Sequence, residues 1–154
     1  MRLEPILMSE SALIIENAAD RDAVLSRLAE AAAKLVPGYS AQTILTAFED
    51  REAQTPTATP EGVAFPHAML KNVDRTTLLI ARLKPAVSFG GQDLPASDLV
   101  FCMVGSAEKP WVHVRLLARL ARVARAPGAL ERLRGADTAE DLFARLIEED
   151  RAHA

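Results

Sequence analysis

Apolar positions recur along this chain in two rhythms. Val24, Leu28, Ala32 and Leu35 stand at helical spacing after Asp20, a residue type that caps helices, and Pro37-Gly38 ends the run. Ser40 opens a second stretch of the same kind with Ile44, Leu45 and Phe48, which passes into the charged cluster Glu49, Asp50, Arg51 and Glu52. The short apolar group 13–15 precedes both. Residues 54–61, with Pro56, Pro60 and three threonines, read as a loop. The rhythm then shortens. Residues 62–67, 76–83 and 98–104 are compact, mainly apolar runs of the kind that form strands at the centre of a sheet, the last two separated by Pro85 and the turn-forming Gly90-Gly91.

Helical spacing returns in residues 110–124. His113, Leu116, Leu117, Leu120 and Ala124 share one side, while Arg115, Arg119 and Arg122 form a stripe expected to be solvated. Pro127-Gly128 and Gly135 bracket a short helical piece. Thr138 and Asp141 begin a last helix with Leu142, Phe143, Leu146 and Ile147 facing inward. Helices before, between and after the strands predict a layered α/β arrangement, with helices covering a small sheet. No repeat or linker divides residues 1–154, so one domain is expected.

Composition narrows the functional classes. With 154 residues, 49% of them apolar, the chain can bury a core without disulfide or metal staples. The formal net charge of -3 argues against a dedicated nucleic-acid binder, which needs clustered uncompensated Lys and Arg. Glu4 and Pro5 interrupt the apolar residues at the start before a secretory core forms, and no apolar run reaches membrane-spanning length. The single Cys102, in an apolar run, suits a reducing cytoplasm and a packing role. The expectation is a cytoplasmic protein with no direct membrane insertion.

The chemistry concentrates at Gly62-Val63-Ala64-Phe65-Pro66-His67. Val63 and Phe65 have the bulk of a buried strand, Pro66 denies its end a ladder donor, and His67 follows where access begins. Imidazole is available near neutral pH both as a base and as a nucleophile, so a fixed, accessible histidine is a candidate for group transfer. On these six residues alone, a hydrogen-bonded structural histidine is an equal reading. His113 reads equally as a half-buried core histidine and Arg51 as a solvated helix residue. The three histidines lack metal-ligand spacing, and no nucleophile elbow, phosphate loop or dinucleotide fingerprint occurs.

Taken together, Arg51-Glu52, Thr57 and the segment 62–67 resemble the IIA proteins of the fructose/mannitol and nitrogen-regulatory branch of the bacterial phosphoenolpyruvate-dependent phosphotransferase system (PTS EIIA type-2). That pattern is an Arg-Glu pair, a Thr in the following loop, then a small-residue strand ending in Ala-x-Pro-His. The likeness continues through Leu99-Val100-Phe101, His113 at the start of a Leu-rich helix, and the ending from Leu133-Arg134 to Asp141-Leu142-Phe143.

The resemblance implies a three-layer α/β/α sandwich with a small mixed sheet. It also implies a phosphocarrier in which His67 accepts a phosphoryl group from HPr or its nitrogen-branch paralogue. His113 would lie beside His67, and Arg51 and Thr57 would support the phosphate. No metal or organic cofactor is expected. The onward partner would be a regulated protein or, in a stand-alone sugar-transport IIA, a IIB component. The absence of fused segments favours the regulatory version. A third expectation is a binding module of the same fold that is never phosphorylated. Its basis is Pro60-Glu61, where the family has a Gly-rich turn ending in Asn, so that Glu61 is expected to bring negative charge near the phosphate. Ala68 also replaces the glycine that often follows the histidine.

Overall fold

In a computed structural model, which describes residues 1–91 and 93–153, the chain forms a five-stranded mixed sheet between two layers of helices. After two short 3-10 turns, Glu4–Ile6 and Ser9–Ser11, come strand β1 (Ala12–Glu16) and helices α1 (Arg21–Leu35) and α2 (Ala41–Gln54). Strands β2 (Val63–Ala64), β3 (His67–Leu70), β4 (Thr77–Val87) and β5 (Ser97–Ser106) follow, then helices α3 (Pro110–Arg125), α4 (Ala129–Arg134) and α5 (Ala139–Ala152). The caps are those the sequence predicts. Asp20, Ser40 and Thr138 each accept a hydrogen bond from a backbone N–H three residues on, satisfying donors that the first helical turn leaves unpaired.

The sheet order is β1-β4-β5-β2, with β3 continuing beyond β2 along β5. β1 runs parallel to β4, β4 antiparallel to β5, and β2 and β3 parallel to β5. Strand alternation divides the core in two. Leu79, Ala81, Val100, Cys102 and Val104 pack against α1 and α2, whereas Leu78, Ile80, Leu99, Phe101 and Met103 pack against α3, α4 and α5. Both faces of β4 and β5 are therefore apolar, which is why these strands read as nearly continuous apolar runs.

Three sequence expectations are corrected. The ladder does not stop at His67. It lapses at Phe65 and Pro66 and resumes in register, Val63 opposite Leu99 and His67 opposite Met103, because the Pro66 carbonyl still accepts from Met103 N–H at 3.1 Å. Pro85 does not end β4 either; a register shift between Arg82 and Val87 accommodates its missing donor. Arg119 leaves the solvated stripe altogether. It is 6% exposed and donates to the fully buried Asp150 carboxylate, which also accepts the backbone N–H groups of Leu3 and Glu4.

Candidate functional site

The edge position of β3 lets helices on opposite faces of the sheet reach one histidine. Residues 63, 65 and 67 share strand parity, and Val63 and Phe65 belong to the core on the α3 side. His67 accordingly meets His113, from the first turns of α3, with ring centroids 4.7 Å apart and planes inclined by 43°. Arg51 comes from the last turn of α2 and donates its Nε–H to Nε2 of His67 at 3.1 Å, while its Nη1 donates to the Thr55 carbonyl at 2.8 Å. That second bond occupies a carbonyl at the end of α2 and holds the guanidinium beside the imidazole.

The opposite ring nitrogen decides the tautomer. Nδ1 of His67 lies 2.9 Å from the Phe65 carbonyl oxygen, which can only accept, so Nδ1 carries the proton. Nε2 is then the bare nitrogen, as its acceptance of the Arg51 N–H also requires. The half-buried ring thus has its nucleophilic lone pair aimed at a permanently charged guanidinium.

His113 is 8% exposed, and neither of its ring nitrogens has a protein hydrogen-bond partner. Burial, with smaller contributions from the neighbouring His67 and Arg51, lowers its pKa from 6.5 to about 4. At neutral pH it is a neutral ring with one N–H to donate. Gly105 lies beneath it; a Cβ there would crowd the Met69 sulfur at 3.0 Å and meet His113 Nδ1 at an ordinary contact distance of 3.6 Å.

Thr57 occupies a different place from the other three. Its hydroxyl donates to Oε1 of Glu52 at 2.5 Å and accepts the Phe65 N–H at 3.2 Å, so its one proton is taken by a carboxylate. Residues 57–65 form a hairpin: Thr59 N–H bonds the Val63 carbonyl, Ala58 pairs with Ala64, and Gly62 turns the tip with φ +77°. Glu61 sits at that tip, and its carbonyl accepts from Arg134. The four residue steps from Val63 to His67 span about 13 Å of extended chain, so Glu61 lies at the far end of the strand from His67 rather than beside it.

Glu52 is the residue that sequence reasoning left without a role. It is 2% exposed although charged, and its signal was present: Ile44, Phe48 and Glu52 lie four residues apart and form the inward stripe of α2. His153 is outside this site, tied to Glu149 at 3.1 Å. Among the described residues no group of three or more His, Cys, Asp or Glu could hold a metal ion, and the Arg51 charge would oppose a cation at His67.

The model of the family "Phosphoenolpyruvate-dependent sugar phosphotransferase system, EIIA 2" matches residues 6–149. The chain belongs to that family. A nitrogen regulatory protein of Pseudomonas aeruginosa is 29% identical over 143 residues, 93% of each chain. The nitrogen regulatory protein IIA-Ntr of Neisseria meningitidis superposes with a TM-score of 0.82 at 20% identity, over 94% of this chain and 98% of that one. The mannitol IIA enzyme of Escherichia coli, in its complex with phosphorylated mannitol IIB, superposes with a TM-score of 0.73 at 22% identity over 92% and 97%. The type-2 EIIA fold is thus established for this chain, with its three layers and mixed sheet. No helix of the described residues is long and apolar enough to cross a membrane.

Proposed function

We propose that this type-2 EIIA protein is a histidine phosphocarrier of the nitrogen-regulatory kind, taking phosphate on His67 Nε2 from an HPr-type protein. The observation that carries the reading is the paired restraint on one ring, with Nδ1–H on the Phe65 carbonyl and Nε2 facing Arg51. In the transfer, the Nε2 lone pair attacks phosphorus in line, the new N–P bond forms, and the bond from phosphorus to the donor's imidazole nitrogen breaks. The His67 ring keeps its Nδ1 proton and becomes cationic, and the Phe65 carbonyl stabilises that charge. On release the same cation makes the ring a good leaving group. The Arg51 guanidinium turns from Nε2 to the phosphoryl oxygens, and His113 supplies a neutral N–H donor.

The nitrogen-regulatory role is supported by relatives so named across 93% of the chain. In such a role the phosphate changes which partner docks, by adding about two negative charges and new acceptor oxygens. Trp111 and Val114, 58% and 64% exposed on the helix that carries His113, offer a protein partner apolar contact. A cytoplasmic location accords with the buried, unpaired Cys102.

Purified protein incubated with phosphoenolpyruvate, enzyme I and HPr-type carriers is expected to gain one acid-labile phosphate by intact mass and phosphorus NMR. His67→Ala should lose it, and His113→Ala should take it up more slowly on the same residue. Label that persists in His67→Ala, or none from any cognate donor, would refute the reading. Sugar-dependent passage of the label to a IIB protein would assign the chain to transport instead of regulation.

A further inference from the structure

The Nδ1–H tautomer of His67 is held by a backbone carbonyl, so whatever fixes Phe65 fixes the nucleophile. Phe65 N–H has two acceptors, the Thr57 hydroxyl at 3.2 Å and the Thr57 carbonyl at 3.3 Å, and both belong to one residue. Thr57 in turn is gripped twice by Glu52, its N–H on Oε2 at 3.1 Å and its hydroxyl on Oε1 at 2.5 Å. Pro66 completes the restraint by confining Phe65 to extended backbone.

The Glu52 carboxyl group is almost wholly buried and makes no ion pair with a Lys, Arg or His among the described residues. An isolated buried carboxylate is costly, and the two Thr57 donors are what it holds in exchange. Its charge is felt in the sheet below: the Cys102 thiol is pushed up chiefly by burial and further by Glu52. Adjacent helix positions point about 100° apart, so Arg51 and Glu52 address the two sides of one histidine from a single turn of α2. Arg51 meets Nε2 directly. Glu52 reaches Nδ1 through Thr57 and Phe65.

We propose that Glu52 is a positioning residue which, through Thr57 and the Phe65 backbone, holds His67 in the Nδ1–H tautomer and so keeps Nε2 bare for phosphorus. This deepens the phosphocarrier reading and rests on it for its consequence. The tautomer itself is measurable without phosphate.

The test is imidazole nitrogen-15 NMR of the full chain near pH 8, comparing wild type with Thr57→Val, Thr57→Ser and Glu52→Gln. Wild type and Thr57→Ser are expected to show His67 almost entirely as Nδ1–H. Thr57→Val, which deletes the hydroxyl, and Glu52→Gln, which turns an acceptor into a donor opposite Thr57 N–H, should raise the Nε2–H share severalfold. In the same variants, uptake of phosphate from a phosphorylated HPr-type donor should slow by roughly tenfold or more, because misaligned reacting groups forfeit the advantage of proximity. Thr57→Ser should restore it. An unchanged His67 tautomer in folded Thr57→Val and Glu52→Gln overturns the proposal. Should Glu52→Gln fail to fold, Thr57→Val decides alone, since it keeps the carboxylate and its bond from Thr57 N–H. A wild-type protein that no donor labels would remove the phosphocarrier reading and leave the tautomer result standing.

Discussion

Arg51 and His67 share one hydrogen bond, from Nε–H to Nε2 at 3.1 Å, and it points the cation at the atom that would carry phosphate. A guanidinium in that position attracts an incoming dianion and is already within reach of its oxygens.

Removing that cation should slow phosphorylation more than it weakens the fold. Arg51→Ala is expected to lower the rate of acid-labile phosphate uptake by about 100-fold, the usual cost of losing one preorganised transition-state donor. Arg51→Lys should recover part of the loss, because an ammonium keeps the charge without the planar fork. Wild-type rates in Arg51→Ala would show that the guanidinium does not act in the transfer.

His113 should make the protein less stable in acid. Its folded pKa of about 4 lies below the unfolded value near 6.5, so below pH 6.5 the unfolded chain binds a proton that the folded ring refuses. Stability from this group is fully present above pH 6.5 and falls as the pH drops towards 4, by roughly 3 kcal/mol. Urea unfolding of wild type and His113→Phe between pH 7.5 and pH 4 (roughly the window those pKa values set) should show a shallower pH dependence in the variant. Parallel curves would contradict the burial of a neutral ring.

Glu61 should matter little to the chemistry. It lies at the hairpin tip, with the length of β2 and the Phe65-Pro66 link between it and His67, and charges separated by more than about a Debye length of 8–10 Å are largely screened. Glu61→Asn is expected to change the phosphorylation rate by less than about threefold. A tenfold gain would instead mean that its charge reaches the phosphate.

The chain termini should separate when Asp150 is removed. Burial raises the Asp150 carboxyl, but the Leu3 and Glu4 N–H groups and Arg119 outweigh that and hold it below the ordinary carboxylate range. Asp150→Ala leaves Arg119 buried without its partner and should cost about 3–5 kcal/mol. Denaturant unfolding measures the loss, and limited proteolysis should show faster cleavage after Arg2.

Much of this architecture is legible in local signals. Asp20, Ser40 and Thr138 announce helix starts, the spacing of Val24, Leu28 and Ala32 gives the inward stripe of α1, and the apolar runs of β4 and β5 announce strands covered on both faces. Continuation through Pro66 and Pro85 was not legible, because a missing N–H breaks a strand only where the partner needs that donor. The solvated appearance of Arg119 failed for a related reason. Its acceptor, Asp150, lies 31 residues away on α5, and no periodicity of α3 reports it.

The site divides along the same line. Arg51, Thr57, His67 and His113 stand out as a set only through likeness to the family, since by spacing alone Arg51 is a surface residue and His113 a core one. Caps, periods and turns were decided within a few residues, by backbone geometry and the burial of apolar faces. The chemistry was decided by packing around an edge strand, which lets α2 and α3 reach one imidazole from opposite faces of the sheet. Packing alone gave His67 its bare Nε2, left the His113 ring nitrogens without protein partners, and set the Thr57 hydroxyl between Glu52 and the Phe65 N–H. Hydrogen-bond partners are assigned by proximity in space, and a sequence fixes proximity only after the whole core has closed.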